Sequence, residues 1–327
     1  MSSSLKEIAD ICHEFNALLL VDEAHGGHVY FSSRLPVGAL EAGADMCVQS
    51  MHKVTGALTQ SSVLHIKCHA GTELDVERVV SSLQLVQSTS PSYLLMISLD
   101  CARKELAVNG KEMMSSALEL AEYARNEIRK IDGFRCMGEE VTGVSQIDGI
   151  DLTRLVISAK DIGLTGFELD ALLFEKYDVN VELSDYENAL AIVTYANTRD
   201  DMDRLIEACR MIGIEKIKGI GRRSGNRRND TYVTNMPLPP VPEQALTPRE
   251  AYFSETKEIE WGKAAGRIAA QPIAPYPPGI PIVYAGERIS VEAWEYIESF
   301  RRDGRHIHGG VSGKLDTVKV IADKVDI

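Results

Sequence analysis

The sequence lacks a long apolar run, a closely spaced cysteine pair and an excess of positive charge. No run of about 18 apolar residues is present, which argues against a membrane-spanning helix. The six cysteines are scattered without a C-x-x-C pair, a pattern typical of reduced thiols in a cytoplasmic protein. Acidic residues outnumber basic ones by 48 to 35, and the net charge of −13 disfavours binding to nucleic acid. We therefore expect a cytoplasmic protein that binds neither a membrane nor nucleic acid.

Helical and strand-like segments alternate in the first part of the chain. Apolar residues recur at helical spacing from Leu5 to Phe15 and predict a helix over residues 4–15. Short apolar runs at 17–21 and 46–48 are typical of strands in a parallel sheet covered on both faces, and a third apolar segment follows at 62–66. Because helices and strands alternate here, the sequence predicts an α/β fold.

The rest of the chain predicts further domains. Residues 111–218 combine helical and strand-like segments and indicate a small α+β domain after a large domain at 1–110. The first of these segments is a long helix predicted from Lys111 to about Arg129. Six basic residues between 216 and 228 lie among glycines and serines, so a basic linker at 219–236 is favoured over an anion-binding loop. A proline-rich stretch opens the last unit, at 237–327.

Two polar clusters follow the first two predicted strands. They are Asp22-Glu-Ala-His25 and Ser50-Met-His52-Lys53, and open α/β sheets bind ligands at this edge. Asp-Glu-Ala-His also occurs in helicases, but that function requires a phosphate-binding loop ending in Gly-Lys-Ser/Thr. Each Gly-Lys pair in this chain is followed by a residue without a hydroxyl group, which excludes the helicase hypothesis.

Asp22 and Lys53 suit the chemistry of a pyridine cofactor. A partly desolvated lysine forms Schiff bases because burial lowers the pKa of its amine. A carboxylate keeps a pyridinium nitrogen protonated and the ring electron-withdrawing. A lysine after a strand is also common as a purely structural residue, so the pair alone leaves both interpretations open.

Four segments resemble one enzyme family. The stretch Val48–Ser62 is similar to the pyridoxal-phosphate attachment signature of the bacterial ornithine/lysine/arginine decarboxylases. Residues 266–287 resemble the start of the family's C-terminal domain, and residues 88–93 and 151–166 resemble further family segments. The resemblance spans nearly the whole chain and is closest to the shorter Gram-positive type, arginine or lysine decarboxylase. The matching signature positions are Ser50, His52, Lys53, Gly56, Ala57, Thr59, Gln60, Ser61 and Ser62.

The resemblance implies a truncated large domain with the aspartate-aminotransferase-like architecture (fold type I), followed by a small α+β domain and a C-terminal decarboxylase domain. Its cofactor is pyridoxal 5'-phosphate, bound to Lys53 as a Schiff base, with Asp22 at the pyridinium nitrogen. The family assembles as a homodimer or larger oligomer through the active-site interface. The other residues implied to bind the cofactor are Ala24 and His25 beside the ring, Ser50 and His52 at the phosphate, and Ser88 and Thr89 at the phosphate of the neighbouring subunit.

The implied reaction is decarboxylation of a basic amino acid in polyamine metabolism. Arginine to agmatine is favoured over lysine to cadaverine or ornithine to putrescine, and Lys53 or His52 would return a proton to the α-carbon. In the family a long segment precedes the strand that ends at Asp22, and we expect this chain to lack it. The alternative is therefore a catalytically silent remnant or an interaction subunit. We expect no metal site, because the histidines at 65–69 and 306–308 have no second group of ligands. Residues 306–308 are expected to lie in a surface loop.

Overall fold

The computed structural model describes residues 3–67, 74–144, 147–222, 237–276, 279–310 and 315–322. Its contacts divide the chain into two compact units. The first comprises Met1–Gly163, Ala171–Glu182 and Leu190–Ile217, and the second comprises Leu164–Asp170, Leu183–Ala189 and Lys218–Ile327.

The chain opens with the predicted alternation of helices and strands. The first helix has the apolar stripe seen in the sequence and buries Ala9, and its observed bounds confirm the predicted helix to within one residue at each end. The elements are α1 (Leu5–Glu14), β1 (Leu20–Asp22), α2 (Ala39–Ala42), β2 (Met46–Ser50), α3 (Met51–Val54), β3 (Ser62–Ile66), α4 (Val76–Val86) and α5 (Tyr93–Ile128).

Strands β1, β2 and β3 form a three-stranded sheet in that order. β1 runs parallel to β2 with Asp22 opposite Val48, so the carboxyl ends of both strands meet at one edge. β3 is antiparallel to β2, with Ser62 opposite Ser50. The sheet is therefore mixed. The loop after Lys53 reverses the direction of the chain and leads into β3, the strand next to β2.

The expectation that the first two strands are fully buried is wrong for the described residues. Leu20 is 58% exposed and Val48 is 42% exposed. Cys47, which precedes Val48 on β2, is buried with Ala39 and Ala44, as predicted. In the part of the chain that the structure describes, only one face of this sheet is well covered.

Helix α5 is longer than the sequence pattern predicted. It spans 36 residues and buries Met114, Leu118, Ala121 and Ile128 on one side. The pattern placed its start at Lys111, yet the helix begins at Tyr93 and continues through Gly110. The predicted domain boundary between residues 110 and 111 falls inside this helix.

The remaining elements of the α+β segment form a four-stranded sheet with helices. The strand order is β4-β5-β7-β6, and β4 pairs antiparallel with β5. The predicted basic linker at 219–236 begins within the last turn of α7, which ends at Arg222, and residues 223–236 lie outside the described residues. The elements are β4 (Arg135–Cys136), β5 (Arg154–Ser158), α6 (Gly166–Tyr177), β6 (Leu183–Ser184), β7 (Ala189–Ile192) and α7 (Arg199–Arg222).

The C-terminal part of the second unit has its own core around Trp261. β8 pairs antiparallel with β11, and β9 pairs antiparallel with β10. The expected loop at residues 306–308 is wrong, because these residues form β10 with Ile307 buried and both histidines exposed. The elements are α8 (Pro248–Phe253), β8 (Thr256–Glu260), β9 (Ala274–Tyr276), α9 (Val291–Arg302), β10 (His306–His308) and β11 (Thr317–Ile321).

None of the helices in the described ranges has the length and apolar character needed to cross a membrane.

Candidate active site

A pocket of about 610 Å³ lies at the carboxyl ends of β1 and β2. We call it the Lys53 pocket. Its volume is within the range of small-molecule sites, about 300–1,000 Å³. All of its lining residues belong to the first unit. The polar side chains that line it include Asp22, Glu23, His25, Lys53, Asp151 and Arg154.

Asp22 is fixed at the mouth of the pocket by the chain that follows it. Its Oδ1 accepts a hydrogen bond from the backbone N–H of Ala24 at 3.0 Å. The carbonyl of Ala24 in turn accepts from the N–H of Ser50 at 3.3 Å. The two predicted polar clusters are therefore joined directly, and Asp22 and Lys53 line the same pocket.

Lys53 and His25 are in direct contact. Lys53 lies on the single-turn helix α3, and its Nζ is 3.0 Å from Nε2 of His25. Burial lowers the pKa of His25 below its usual 6.5, and the positive charges of Lys53 and Arg154 lower it further. Glu182 and Asp22 act in the opposite direction. A neutral His25 can accept a hydrogen bond from the Lys53 amine through the lone pair of Nε2. This contact therefore fixes the orientation of Nζ.

His52 and Ser50 lie next to the pocket but do not line it. Nδ1 of His52 donates to the carbonyl of Ser61 at 2.9 Å, which leaves Nε2 as the nitrogen free to exchange a proton. Ser50 is partly buried at the N-terminal end of α3. His52 precedes Lys53 by one residue on α3, and Ser50 precedes it by three residues at the end of β2.

Ser88 and Thr89 are exposed between α4 and α5 and do not line the Lys53 pocket of their own chain. The hydroxyl of Ser88 accepts from the N–H of Ser90 at 3.1 Å, which shapes this turn. The resemblance implies that both residues bind the cofactor phosphate of a neighbouring subunit. The structure describes a single chain, so this role stays a prediction.

The sequence pattern gave no indication of a cluster of four residues at the pocket, of which Asp151 and Arg154 line it. His28 is 1% exposed, and its Nε2 donates to Oδ2 of Asp151 at 3.0 Å. Arg154 Nε donates to the same oxygen at 3.0 Å, and the hydroxyl of Thr153 donates to Oδ1 at 2.6 Å. Burial alone would raise the pKa of Asp151, but the hydrogen bond and charge of His28, with Arg154 and Thr153, hold it well below its usual range.

Glu23 is a second residue whose role the sequence did not reveal. Its carboxylate accepts hydrogen bonds from the hydroxyl of Tyr30 at 2.8 Å, the N–H of Ala39 at 2.7 Å and the amide of Gln49 at 2.6 Å. These donors belong to three different segments. Glu23 therefore fixes the backbone next to Asp22 by connecting the end of β1 to the start of α2 and to β2.

The charged side chains that line the pocket fit pyridoxal phosphate. They combine a lysine amine, a carboxylate at the same mouth and the additional cation Arg154. A primary amine is the group that binds the cofactor's aldehyde carbon, and a carboxylate is the partner of a pyridinium nitrogen.

Solved structures share this fold. The constitutive lysine decarboxylase of E. coli superposes with a TM-score of 0.77 at 18% identity, over 98% of this chain and 56% of that one. Lysine decarboxylase A from Pseudomonas aeruginosa superposes with a TM-score of 0.73 at 21% identity, over 93% of this chain and 53% of that one. The fold and the pocket together define the class: the predicted α/β architecture of fold-type I, pyridoxal-phosphate-dependent enzymes is confirmed.

Two segments of the sequence match the domains of one family. Residues 1–201 match the Orn/Lys/Arg decarboxylase major domain, and residues 231–313 match the Orn/Lys/Arg decarboxylase C-terminal domain. The chain therefore belongs to the Orn/Lys/Arg decarboxylase family, which confirms the resemblance found in the sequence. The family depends on pyridoxal phosphate, the predicted cofactor.

The similar proteins include arginine decarboxylases from two bacilli. The enzyme of Halalkalibacterium halodurans is 39% identical over 323 residues, and that of Bacillus subtilis is 38% identical over 324 residues. Each alignment covers 99% of this chain and 64% of the relative. The chain thus spans just under two thirds of the length of these relatives.

Proposed function

We propose that this chain carries the catalytic lysine of a pyridoxal-phosphate-dependent decarboxylase of basic amino acids, with arginine as the favoured substrate. The observation that carries the proposal is the contact of 3.0 Å between Lys53 Nζ and His25 Nε2, in a pocket that Asp22 also lines. The similarity to arginine decarboxylases supports arginine over lysine or ornithine.

The chain's residues would bind the cofactor in the roles that the sequence implied. Lys53 would bind it covalently, Asp22 would pair with its pyridinium nitrogen, and Ala24 and His25 would contact its ring. When bound, the cofactor accepts the electron pair that departure of CO₂ leaves on the substrate's α-carbon. Asp22 favours this by keeping a negative charge next to the ring nitrogen.

Return of a proton to the α-carbon falls to Lys53 or His52. Lys53 lines the pocket itself, so its Nζ is the better placed donor. His52 has its Nδ1 engaged with Ser61, so Nε2 is the atom through which it would bind phosphate or move a proton. Ser50, at the start of the same helix, is the proposed second phosphate ligand.

A panel of substrates tests the proposal. Borohydride reduction followed by mass spectrometry shows whether pyridoxal phosphate attaches at Lys53, and release of CO₂ from arginine, lysine and ornithine shows the substrate. We expect attachment and release from one of the three, both abolished in Lys53→Ala and retained in Lys130→Ala, an exposed lysine elsewhere in the first unit. Attachment without CO₂ release would support the silent-subunit alternative, and no attachment would refute the proposed site.

We further propose that two copies associate through the segment around Ser88 and Thr89. Exposed apolar side chains flank this segment on both sides, and such clusters mark interaction surfaces. Sedimentation should show at least a dimer that Leu85→Asp dissociates, whereas a monodisperse monomer that binds no hydrophobic dye would contradict the proposal. The flanking side chains and their exposures are Leu85 85%, Val86 82%, Tyr93 75% and Leu94 73%.

The proposal extends to polyamine metabolism in the cytoplasm. The cysteines within the described ranges are free thiols, which supports a reducing compartment. Agmatine, cadaverine or putrescine would be the product, depending on the substrate.

A further inference from the structure

A chain of polar contacts connects the protein interior to the Lys53 amine. His28 donates to Asp151 at 3.0 Å, and Arg154 donates its Nε to the same carboxylate at 3.0 Å. Nη2 of Arg154 donates to the backbone carbonyl of His25 at 3.2 Å. His25 then contacts Lys53 through Nε2 at 3.0 Å. The contacts join the loop after β1 to the start of β5, more than 120 residues later in the chain.

The contact chain contains buried polar atoms without a hydrogen-bond partner, which is uncommon in native proteins. Among the described residues, three buried side-chain polar atoms have no hydrogen-bond partner, and two of them are His28 Nδ1 and Arg154 Nη1. Native proteins satisfy nearly all such atoms because an unpaired buried donor loses its hydration without compensation. The presence of two such atoms in one series of contacts indicates that the positions of His28 and Arg154 serve the pocket.

We propose that Asp151 and Arg154 are positioning residues for Lys53: the carboxylate of Asp151 aims the guanidinium, the guanidinium holds the His25 backbone, and the His25 ring aims the lysine amine. The inference rests on the proposed function for its benefit to catalysis, but its geometry can be tested without the cofactor. Neither residue has to touch the substrate.

The electrostatics of His25 provide a readout of Arg154. The charged groups that act on the imidazole are Lys53 on α3, Arg154 on β5, Glu182 before β6 and Asp22 on β1. The two cations lower the pKa of His25 and the two carboxylates raise it, with burial the largest cause of the net lowering. Loss of the Arg154 charge should therefore raise the titration midpoint of His25 towards its usual 6.5.

Histidine-selective NMR of the full-length, cofactor-free chain measures that midpoint. His25→Asn identifies the resonance. We expect the midpoint to rise in Arg154→Gln and to change less in Arg154→Lys, which keeps the charge. Lysine has no forked donor, so it cannot bind Asp151 and the His25 carbonyl together. Both variants should attach pyridoxal phosphate at Lys53 about tenfold more slowly, the factor expected for one lost hydrogen bond to a charged group.

Asp151→Asn tests the first step of the contact chain. Loss of the negative charge of Asp151 can by itself only lower the pKa of His25, so a raised midpoint in this variant would report a displaced Arg154. The matched control is Asp161→Asn, which breaks the exposed Arg135–Asp161 pair and should leave both readouts unchanged. If Asp151→Asn does not fold, the two Arg154 variants decide. A wild-type midpoint and a wild-type attachment rate in folded Arg154→Gln would overturn the inference.

The outcomes separate this inference from the proposed function. If the midpoint shifts in the variants but wild-type protein attaches no cofactor, the contact chain exists and the proposed function fails. If wild type attaches cofactor and releases CO₂ while neither readout responds to Arg154, the function holds and the positioning role is wrong.

Discussion

Replacing Gly56 by alanine tests how the segment after Lys53 is held. Gly56 adopts a φ of +82°, in the left-handed region. A Cβ at this position would overlap the hydroxyl oxygen of Tyr195 and approach its Cζ to 3.4 Å. Alanine therefore brings backbone strain and a steric overlap together, three residues after the lysine that we propose binds the cofactor.

A second glycine separates these two effects. Gly163 has a φ of +71° and nothing within 4 Å of its would-be Cβ, so Gly163→Ala reports backbone strain alone. That strain costs about 1–2 kcal/mol. Displacing Tyr195 adds about 1–3 kcal/mol, as for other overpacked sites. We therefore expect Gly56→Ala to lower the free energy of unfolding by about 2–5 kcal/mol.

Urea unfolding of a double-mutant cycle provides the assay. Phenylalanine at position 195 lacks the overlapping oxygen, so Gly56→Ala combined with Tyr195→Phe should cost no more than Gly163→Ala relative to its parent. The coupling free energy between positions 56 and 195 should be about 1–3 kcal/mol in the direction of rescue. Equal costs for Gly56→Ala and Gly163→Ala, or no rescue, would show that Tyr195 does not restrain this loop.

Three further predictions concern other parts of the chain. Trp261→Phe removes the indole donor 3.0 Å from the buried carboxylate of Glu298, and urea unfolding should show a loss of about 1–2 kcal/mol. Burial raises the pKa of the Cys209 thiol to about 12, so Ellman's reagent at mildly alkaline pH should label exposed Cys101 in the native protein and Cys209 only after unfolding. Thr247→Ala removes the capping box of α8 and should cost about 1 kcal/mol, again by urea unfolding.

The residue pattern predicts helices well where the apolar spacing is uninterrupted, and less well where packing outweighs propensity. The apolar spacing predicted the start of α5 at Lys111, one residue after Gly110, and glycine weakens a helix interior by about 1 kcal/mol. In the structure Gly110 is buried against the ring of Phe31, so close that a Cβ would overlap it. The contact requires the residue that local propensity disfavours, and no sequence window contains both partners.

The candidate site was likewise predicted only in part. Asp22 and Lys53 were identified because each follows an apolar strand, and parallel pairing brings such positions to one edge. Asp151 and Arg154 were missed because their partners, His28 and His25 respectively, lie more than 120 residues away. A local signal existed: Asp151 accepts from the N–H of Thr153 at 3.0 Å, the turn that Asp-x-Thr sequences favour. It predicts a turn and gives no indication of the buried histidine.

The net charge of the chain favours the proposed cationic substrates over an acidic amino acid. Three carboxylates and two cations line the pocket, but Asp151 is paired with Arg154, and Glu23 accepts three hydrogen bonds. The remaining pair, Asp22 and Lys53, is assigned to the cofactor in the proposed function. A substrate with a side-chain carboxylate would be repelled by a chain of net charge −13, whereas a guanidinium or ammonium group is attracted. Arginine, lysine and ornithine carry the same side-chain charge, so the CO₂-release panel compares side-chain length and end-group geometry at constant charge.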